Sequence, residues 1–369
     1  MELAVSLVFT FIVTVLFILV LRPVALAIGL VDVPGGRKRH KKQTPVIGGV
    51  AMYFGLLFGG MLLVIAPSIV SLLMGSSLLI VTGAIDDRFE LPPSVRLIAQ
   101  TCAVLVMVYA ANLQLINLGA PLFFDLYLGA VSVPFTILVA LTVINAFNVI
   151  DGIDGLAGGI AFIALGFMAL ISIGNDIFSL ILLLMAVVTG FLVCNIPIKS
   201  NRQVTCFMGD AGSTFLGFSV AWVGISISQG ESAPMAPVTA LWLVAVPIYD
   251  VVTSVLRRIF IGRSPFKADR KHFHHILMQR GISAKGSLLI ILTLSFFTAS
   301  VGFIGQTLSL PDSIMFLLWL SCGGIYFQDI VLNKGERLLG LTSIFLLKFF
   351  SNKAFDQSIS ISSKDSKVN

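Results

Sequence analysis

Apolar runs of about 17 to 22 residues recur along this chain, each long enough to cross about 30 Å of hydrocarbon as a helix. In lipid a segment must satisfy its own backbone N–H and C=O groups, so continuous runs of this length fold as helices. Eleven can be read, at residues 3–21, 46–66, 68–85, 96–112, 131–149, 156–173, 177–195, 212–228, 237–256, 286–305 and 313–331. Only 11% of residues are charged, against roughly a quarter in a soluble domain, so water is not the solvent for most of this surface. The expected fold is all-α: a polytopic membrane protein with about eleven transmembrane helices in one domain, residues 1–331. The tail, 332–369, differs in composition. Its Arg337–Phe350 stretch reads as an amphipathic interfacial helix and its Ser/Lys-rich end as disordered.

Glu2 precedes the first run and Arg22 follows it, with no basic n-region and no small-residue cleavage site. It reads as a retained span rather than a signal peptide. Placing alternate loops on opposite faces then puts all 24 Lys and Arg residues on one of them. Six lie between Arg22 and Lys42, two in the Asp86–Arg96 loop, two at Lys199 and Arg202, eight from Arg257 to Lys285, and six in the tail. Cytoplasmic loops carry such an excess, so the expected orientation is N-out/C-in in an inner membrane, with the active site in the cytoplasmic loops.

The net charge of +6 thereby belongs to one face, where it favours anionic headgroups or anionic substrates. No compact basic domain with interleaved aromatics exists, so no nucleic-acid partner is expected. Cys102, Cys194, Cys206 and Cys322 fall in spans or on the cytoplasmic side, and their spacing suggests neither a disulfide framework nor a zinc site.

Polar motifs cluster on that same face. Loop one runs Asp32-Val-Pro-Gly-Gly-Arg-Lys-Arg-His40 and ends in a basic stretch that an orientation signal alone explains; the Gly48-Gly49 pair beyond it suggests close packing or a ligand approach. Asp86-Asp87-Arg88 closes the third run. Adjacent carboxylates at an interface repel, so a cation, a proton or simple solvation must compensate them. Pro92-Pro93 turns the chain there and can start the next helix, with Arg96 near its end.

The fifth run ends in Asn145-Ala-Phe-Asn148-Val-Ile-Asp151-Gly-Ile-Asp154-Gly. Interhelical hydrogen bonding explains the two amides; it leaves the two further carboxylates unexplained. Asp210, in Phe207-Met-Gly-Asp210-Ala-Gly-Ser213, reads either as an N-cap or as a carboxylate that holds a metal beside phosphate oxygens. In the longest loop, Arg270-Lys271-His272-Phe-His274-His275 suits an anionic ligand better than zinc, because two cations adjoin the histidines. Asp250, inside the ninth run, is either functional or part of a buried salt bridge.

Carboxylates, amides, cations and histidines gathered at one membrane face suggest chemistry among phosphates, with a divalent metal to screen them and a lipid as one substrate. A transporter for an anion or proton would use similar groups, but near the midplane and on both faces. Apart from Asp250, the ionisable groups stop at one interface, which weighs against transport.

From Asp32-Val-Pro through Asp86-Asp87-Arg88-Phe, NAFNVIDGIDGL and FMGDAGS to HFHH, these motifs in order resemble the polyprenyl-phosphate N-acetylhexosamine-1-phosphate transferases over nearly the whole chain. The phospho-MurNAc-pentapeptide branch is less similar, since Phe273 interrupts its run of three histidines and Phe89-Glu90 stand where it carries a Lys. The resemblance implies a bacterial enzyme that transfers GlcNAc-1-phosphate from UDP-GlcNAc to undecaprenyl phosphate. Its product would open O-antigen or enterobacterial-common-antigen-type polysaccharide synthesis, with a modified HexNAc donor as the variant. It also implies Mg2+, with Mn2+ as a substitute, held by Asn148 and Asp210. Catalytic roles go to Asp86, Asp87, Asp151 and Asp154, and substrate contacts to Asp32, His40, Arg96, Asn145, Arg270, His272, His274 and His275. Helix-face homodimerisation is compatible with the surface, and no specific motif points to it.

Overall fold

The computed structural model describes residues 2–32, 43–62, 67–197, 204–262, 264 and 272–332. His40, Arg270 and the tail beyond 332 lie outside the described residues. Every one of the eleven apolar runs contains helix. In order these are α1 (Glu2–Ile28), α2 (Gly48–Gly60), α3 (Pro67–Phe89), α4 (Pro93–Ala111), α5 (Ser132–Ile150), α6 (Leu156–Ile171), α7 (Phe178–Asn195) and α8 (Gly209–Ser226). Then come α9 (Pro237–Leu243), α10 (Ala245–Phe260), the short α11 (Phe273–Gln279), α12 (Ala284–Thr307) and α13 (Asp312–Leu332). The protein is a polytopic, all-α membrane protein. Among the described residues seven helices are long and apolar enough to cross a membrane, or eight if α9 and α10 form one span, whereas α2 and α6 are shorter apolar helices.

The ninth run, expected as a single span, is bent by 80° between α9 and α10. Pro247 supplies a cause: it has no N–H for the carbonyl four residues earlier, Leu243, which is the last residue of α9. A second departure is a small antiparallel pair, β1 (Val31–Asp32) with β2 (Thr44–Pro45), in register Val31 to Pro45 and Asp32 to Thr44. It continues into the segment before α8, where Phe207 N–H donates to Pro45 O at 2.8 Å and Gly48 N–H donates to Phe207 O at 3.0 Å.

The bundle is built around α8. Every residue from Ala211 to Ile225 is buried, as expected of a helix apolar on all sides and surrounded by others. It packs against α2, α3, α5 and α6. A Cβ on Gly49 would strike the backbone of Gly212, and one on Gly83 that of Ala211, so α2 and α3 touch the first turn of α8 nearly backbone to backbone. That contact draws the end of α3 onto the start of α8.

The two ends of the bundle differ in chemistry. At one end two amides and one carboxylate close the loops: Gln229 Oε1 accepts from Ile116 N–H, Gln306 Oε1 from Ala236 N–H, and Asp312 Oδ2 from Ala120 N–H. At the other end lie the ends of α3, α5 and α7, the starts of α4, α6 and α8, and the motif carboxylates.

Candidate active site

Asp86 and Asp87 are neighbours in the last turn of α3, and the helix turns them to different partners. Asp86, only 6% exposed, accepts from Leu91 N–H at 2.6 Å through Oδ1 and pairs through Oδ2 with Arg96 Nη1 at 3.2 Å. Arg96 stands in the first turn of α4, which Pro93 opens as expected. Asp87 instead accepts from the backbone N–H groups of Asp210 at 2.8 Å and Ala211 at 3.3 Å. It caps α8 from another helix, where both the exposed N–H groups and the helix dipole favour a negative charge.

Asp210 is therefore not the N-cap that its position suggested; it lies inside the first turn, and its carboxylate faces the site. Its Oδ1 accepts from Asn148 Nδ2 at 2.6 Å, and its Oδ2 is 3.6 Å from Arg96 Nη1. Asn148 also donates to Ser213 Oγ at 3.0 Å, so its amide group bridges α5 to α8, and among the described residues its oxygen accepts no hydrogen bond. Arg96 thus lies between two carboxylates, a place where a substrate phosphate can compete for the guanidinium.

Asp151 follows the end of α5 and feels Asp210, Asp87 and Asp154. Burial first, and then those three negative charges, push its carboxyl up to about 8. Among the described residues no hydrogen bond offsets that excess. Asn145, one turn before Asn148, is differently employed: its amide donates to Gln100 Oε1 at 2.9 Å and to Leu141 O at 2.8 Å, the interhelical bond weighed from the sequence. Asp32 sits in β1, joined through β2 to the segment leading into α8.

The histidines lie on the other side of the Asp151–Asp154 turn. His272 Nδ1 meets Asp250 Oδ2 at 2.9 Å, so the intramembrane carboxylate has a hydrogen-bonding partner; the pair is the salt bridge weighed from the sequence only with the imidazole protonated. Among the described residues His274, 1% exposed, has no hydrogen-bond partner on either ring nitrogen, and a Cβ added to Gly152 would run into its Nε2. Burial, with His275 and His272 beside it, pushes the His274 imidazole down to about 3, so it stays neutral. His275 is half-buried beside it, ring centroids 4.1 Å apart.

Two contributors escaped the sequence reading. Asn195, at the end of α7, accepts from Gly155 N–H at 2.6 Å and donates to Cys206 O at 3.0 Å, fastening the Asp151–Asp154 turn to the segment before Asp210. A lone amide ending an apolar run was the available signal, the same one that marked Asn145 and Asn148. Tyr326, from α13, donates to Asp250 Oδ1 at 3.0 Å and carried no signal of its own.

Among the described residues no three His, Cys, Asp or Glu side chains converge into a metal cage. Mg2+ needs none, since it keeps several waters and takes one or two carboxylates together with phosphate oxygens. Asp210, with the amide oxygen of Asn148 beside it, offers that hard, all-oxygen donor set.

Membrane-length helices with carboxylates, an arginine and histidines gathered at one end define a membrane-embedded enzyme of phosphate chemistry. Residues 69–228 match the model of glycosyl transferase family 4. The undecaprenyl-phosphate alpha-N-acetylglucosaminyl 1-phosphate transferase of Yersinia pestis is 34% identical over 323 residues, covering 85% of this chain and 88% of the relative. The corresponding enzyme of Escherichia coli K12 is 34% identical over 323 residues (86% and 88%), and that of Pasteurella multocida 37% over 316 residues (84% and 88%). The chain belongs to glycosyl transferase family 4.

Proposed function

We propose that this protein transfers GlcNAc-1-phosphate from UDP-GlcNAc to undecaprenyl phosphate, giving undecaprenyl-pyrophosphoryl-GlcNAc and UMP. The reaction takes place at the cytoplasmic face of a bacterial inner membrane, where a soluble nucleotide sugar can meet a lipid phosphate. One observation carries the reading: Asp86, Arg96, Asn148 and Asp210, from four different helices, form one bonded cluster next to Asp151. The names of relatives similar over most of both chains supply the acceptor, undecaprenyl phosphate, and the transferred group, GlcNAc-1-phosphate.

An oxygen of the lipid phosphate forms a bond to the β-phosphorus of the donor as the bond from that phosphorus to the UMP oxygen breaks. UMP leaves with the electron pair. A phosphate monoester has its second pKa near 6, so the nucleophile needs little help from a base. The obstacle is repulsion between two anions. Asp210 and Asn148 would hold Mg2+, which supplies charge neutralisation on the donor diphosphate. Arg96 offers its guanidinium to a phosphate, Asp86 fixes the position of Arg96, and Asp87 fixes Asp210 by holding the α8 N-terminus. His272, His274 and His275 are assigned to diphosphate or sugar contacts and Asp32 to a further substrate contact, whereas Arg270 and His40, given such contacts by the resemblance, lie outside the described residues. N-out/C-in follows from the one-sided Lys and Arg.

The test uses purified protein in nanodiscs with undecaprenyl phosphate, labelled UDP-GlcNAc and Mg2+, followed for UMP and labelled lipid. Both products are expected in equal amounts. Turnover with UDP-MurNAc-pentapeptide alone would transfer the chain to the other branch, and no turnover with any UDP-sugar would sink the proposal.

A further inference from the structure

Asp250 is 2% exposed within α10 and has three hydrogen-bonding neighbours at once. Oδ2 lies 2.9 Å from His272 Nδ1, while Oδ1 accepts from Phe273 N–H at 3.0 Å and from the Tyr326 hydroxyl at 3.0 Å. An ionised carboxylate only accepts, so Nδ1 of His272 carries a proton. In the neutral ring that leaves Nε2 as the atom available to a ligand.

The contacts continue from there. His272 stacks on His274 with ring centroids 6.2 Å apart and planes 11° apart. His274 in turn rests on Gly152, inside the Asp151–Asp154 turn. Phe273, between the two histidines and fully buried, packs edge-on against Tyr326 at 5.7 Å. A carboxylate in α10 and a tyrosine in α13 are thereby linked, contact by contact, to the acidic turn.

We propose that Asp250 is a positioning residue for the transfer reaction: it fixes His272 in the Nδ1–H tautomer and seats the His272–His275 segment against the Asp151–Asp154 turn. Rings that are to meet substrate in one orientation need an anchor. Asp250 provides it with one side-chain bond and one backbone bond to consecutive residues. Tyr326 supplies the third bond and ties the anchor to α13.

Asp250→Asn separates this role from simple packing. The amide has nearly the same shape but one oxygen for two nitrogen donors, His272 Nδ1–H and Phe273 N–H. The backbone N–H cannot change, whereas the ring can, by moving its proton to Nε2 and accepting from the new NH2 group. Full-length protein with 15N-labelled histidine, in nanodiscs, reports the tautomer directly, His272 being assigned by its loss in His272→Gln. Nδ1 protonated in the native protein and Nε2 alone protonated in Asp250→Asn is the expected result. The turnover arm rests on the transferase reading: kcat/KM should fall about 10- to 100-fold, as for other groups that orient a ligand-binding imidazole. Asp250→Asn combined with His272→Gln should cost no more than His272→Gln alone.

An unprotonated Nδ1 in the native protein overturns the proposal, and so do additive losses in the double variant. If Asp250→Asn does not fold, Tyr326→Phe decides: it keeps both bonds from Asp250 to the segment, so the native tautomer must persist, and a switched tautomer refutes the assignment. Absence of native turnover with every UDP-sugar would sink the transferase reading alone, because the spectra would still report the tautomer.

Discussion

Replacing Asp87 by Asn tests whether this carboxylate works through α8. In the structure both its oxygens are taken by N–H groups of the first turn of α8, at 2.8 and 3.3 Å. An amide keeps one acceptor and turns an NH2 group toward the other donor. One charge-assisted bond is lost, about 1.5–3 kcal/mol, and the charge at the helix N-terminus goes with it, about 0.3–1 kcal/mol. A total of about 2–4 kcal/mol corresponds to a Tm lower by about 4–16 °C, taking the slope of about 2–4 °C per kcal/mol of a domain of about 150–250 residues. Cys206 is fully buried beside the site, whereas Cys102 and Cys322 are exposed. Cys194 is partly buried, so a Cys102→Ser, Cys194→Ser, Cys322→Ser background lets a thiol-reactive dye follow opening of the site at Cys206 on heating. Asp210 should shift with the first turn of α8, so turnover should fall at least about tenfold in step with the loss of Tm. If Asp87→Asn abolishes turnover at an unchanged Tm, Asp87 acts on substrate directly and the capping argument is wrong.

Asp151→Asn should behave in the opposite sense. The folded carboxyl titrates at about 8, above its unfolded value near 3.9, so its contribution to stability is complete below about pH 4 and is lost as pH rises through 8. In metal-free buffer the native Tm should fall from pH 5 to pH 9, and Asp151→Asn should flatten that profile while lowering turnover; a steeper profile would contradict the charge-crowding account. Asn195→Ala strands Gly155 N–H and Cys206 C=O, at about 1–3 kcal/mol each, and should be visible as a lower Tm; an unchanged Tm would show that water replaces the amide. Gly152→Ala drives a Cβ into His274, so a cost of about 1–3 kcal/mol and reduced turnover are expected, with normal activity as the contrary result. Chelation of divalent cations should stop turnover, and Asp210→Asn should raise the Mg2+ concentration needed for half-maximal rate; an unchanged requirement would remove Asp210 from the metal.

The bilayer made much of the fold legible in advance. A run that must satisfy its own backbone in hydrocarbon has few alternatives, and all eleven runs contain helix, although α1 extends to Ile28, α2 stops at Gly60 and the ninth run is two helices. The bend at Val244 was less visible because Pro247 interrupts a run whose hydropathy stays continuous. The pair β1 and β2 was hidden for another reason: two-residue strands have no periodicity, and their pairing depends on the segment before α8, more than 160 residues on.

Site residues were legible as a set and illegible as individuals. Asp86 and Asp87 are chemically identical and adjacent, so no pattern in the sequence ranks them. A helix separates consecutive side chains by about 100°, and α3 is pressed against α8 at Gly83. That contact alone decides which carboxylate meets the N–H groups of α8 and which is left for Arg96. The same reasoning divides Asn145 from Asn148, three residues apart on α5: one turns to Gln100 of α4 and the other to Asp210 of α8. Motif residues therefore identify where the chemistry lies, while the division of labour among them is set by which neighbouring helix each one faces. Variants of Asp86 and Asp87, or of Asn145 and Asn148, should accordingly differ more within each pair than their spacing in the sequence suggests.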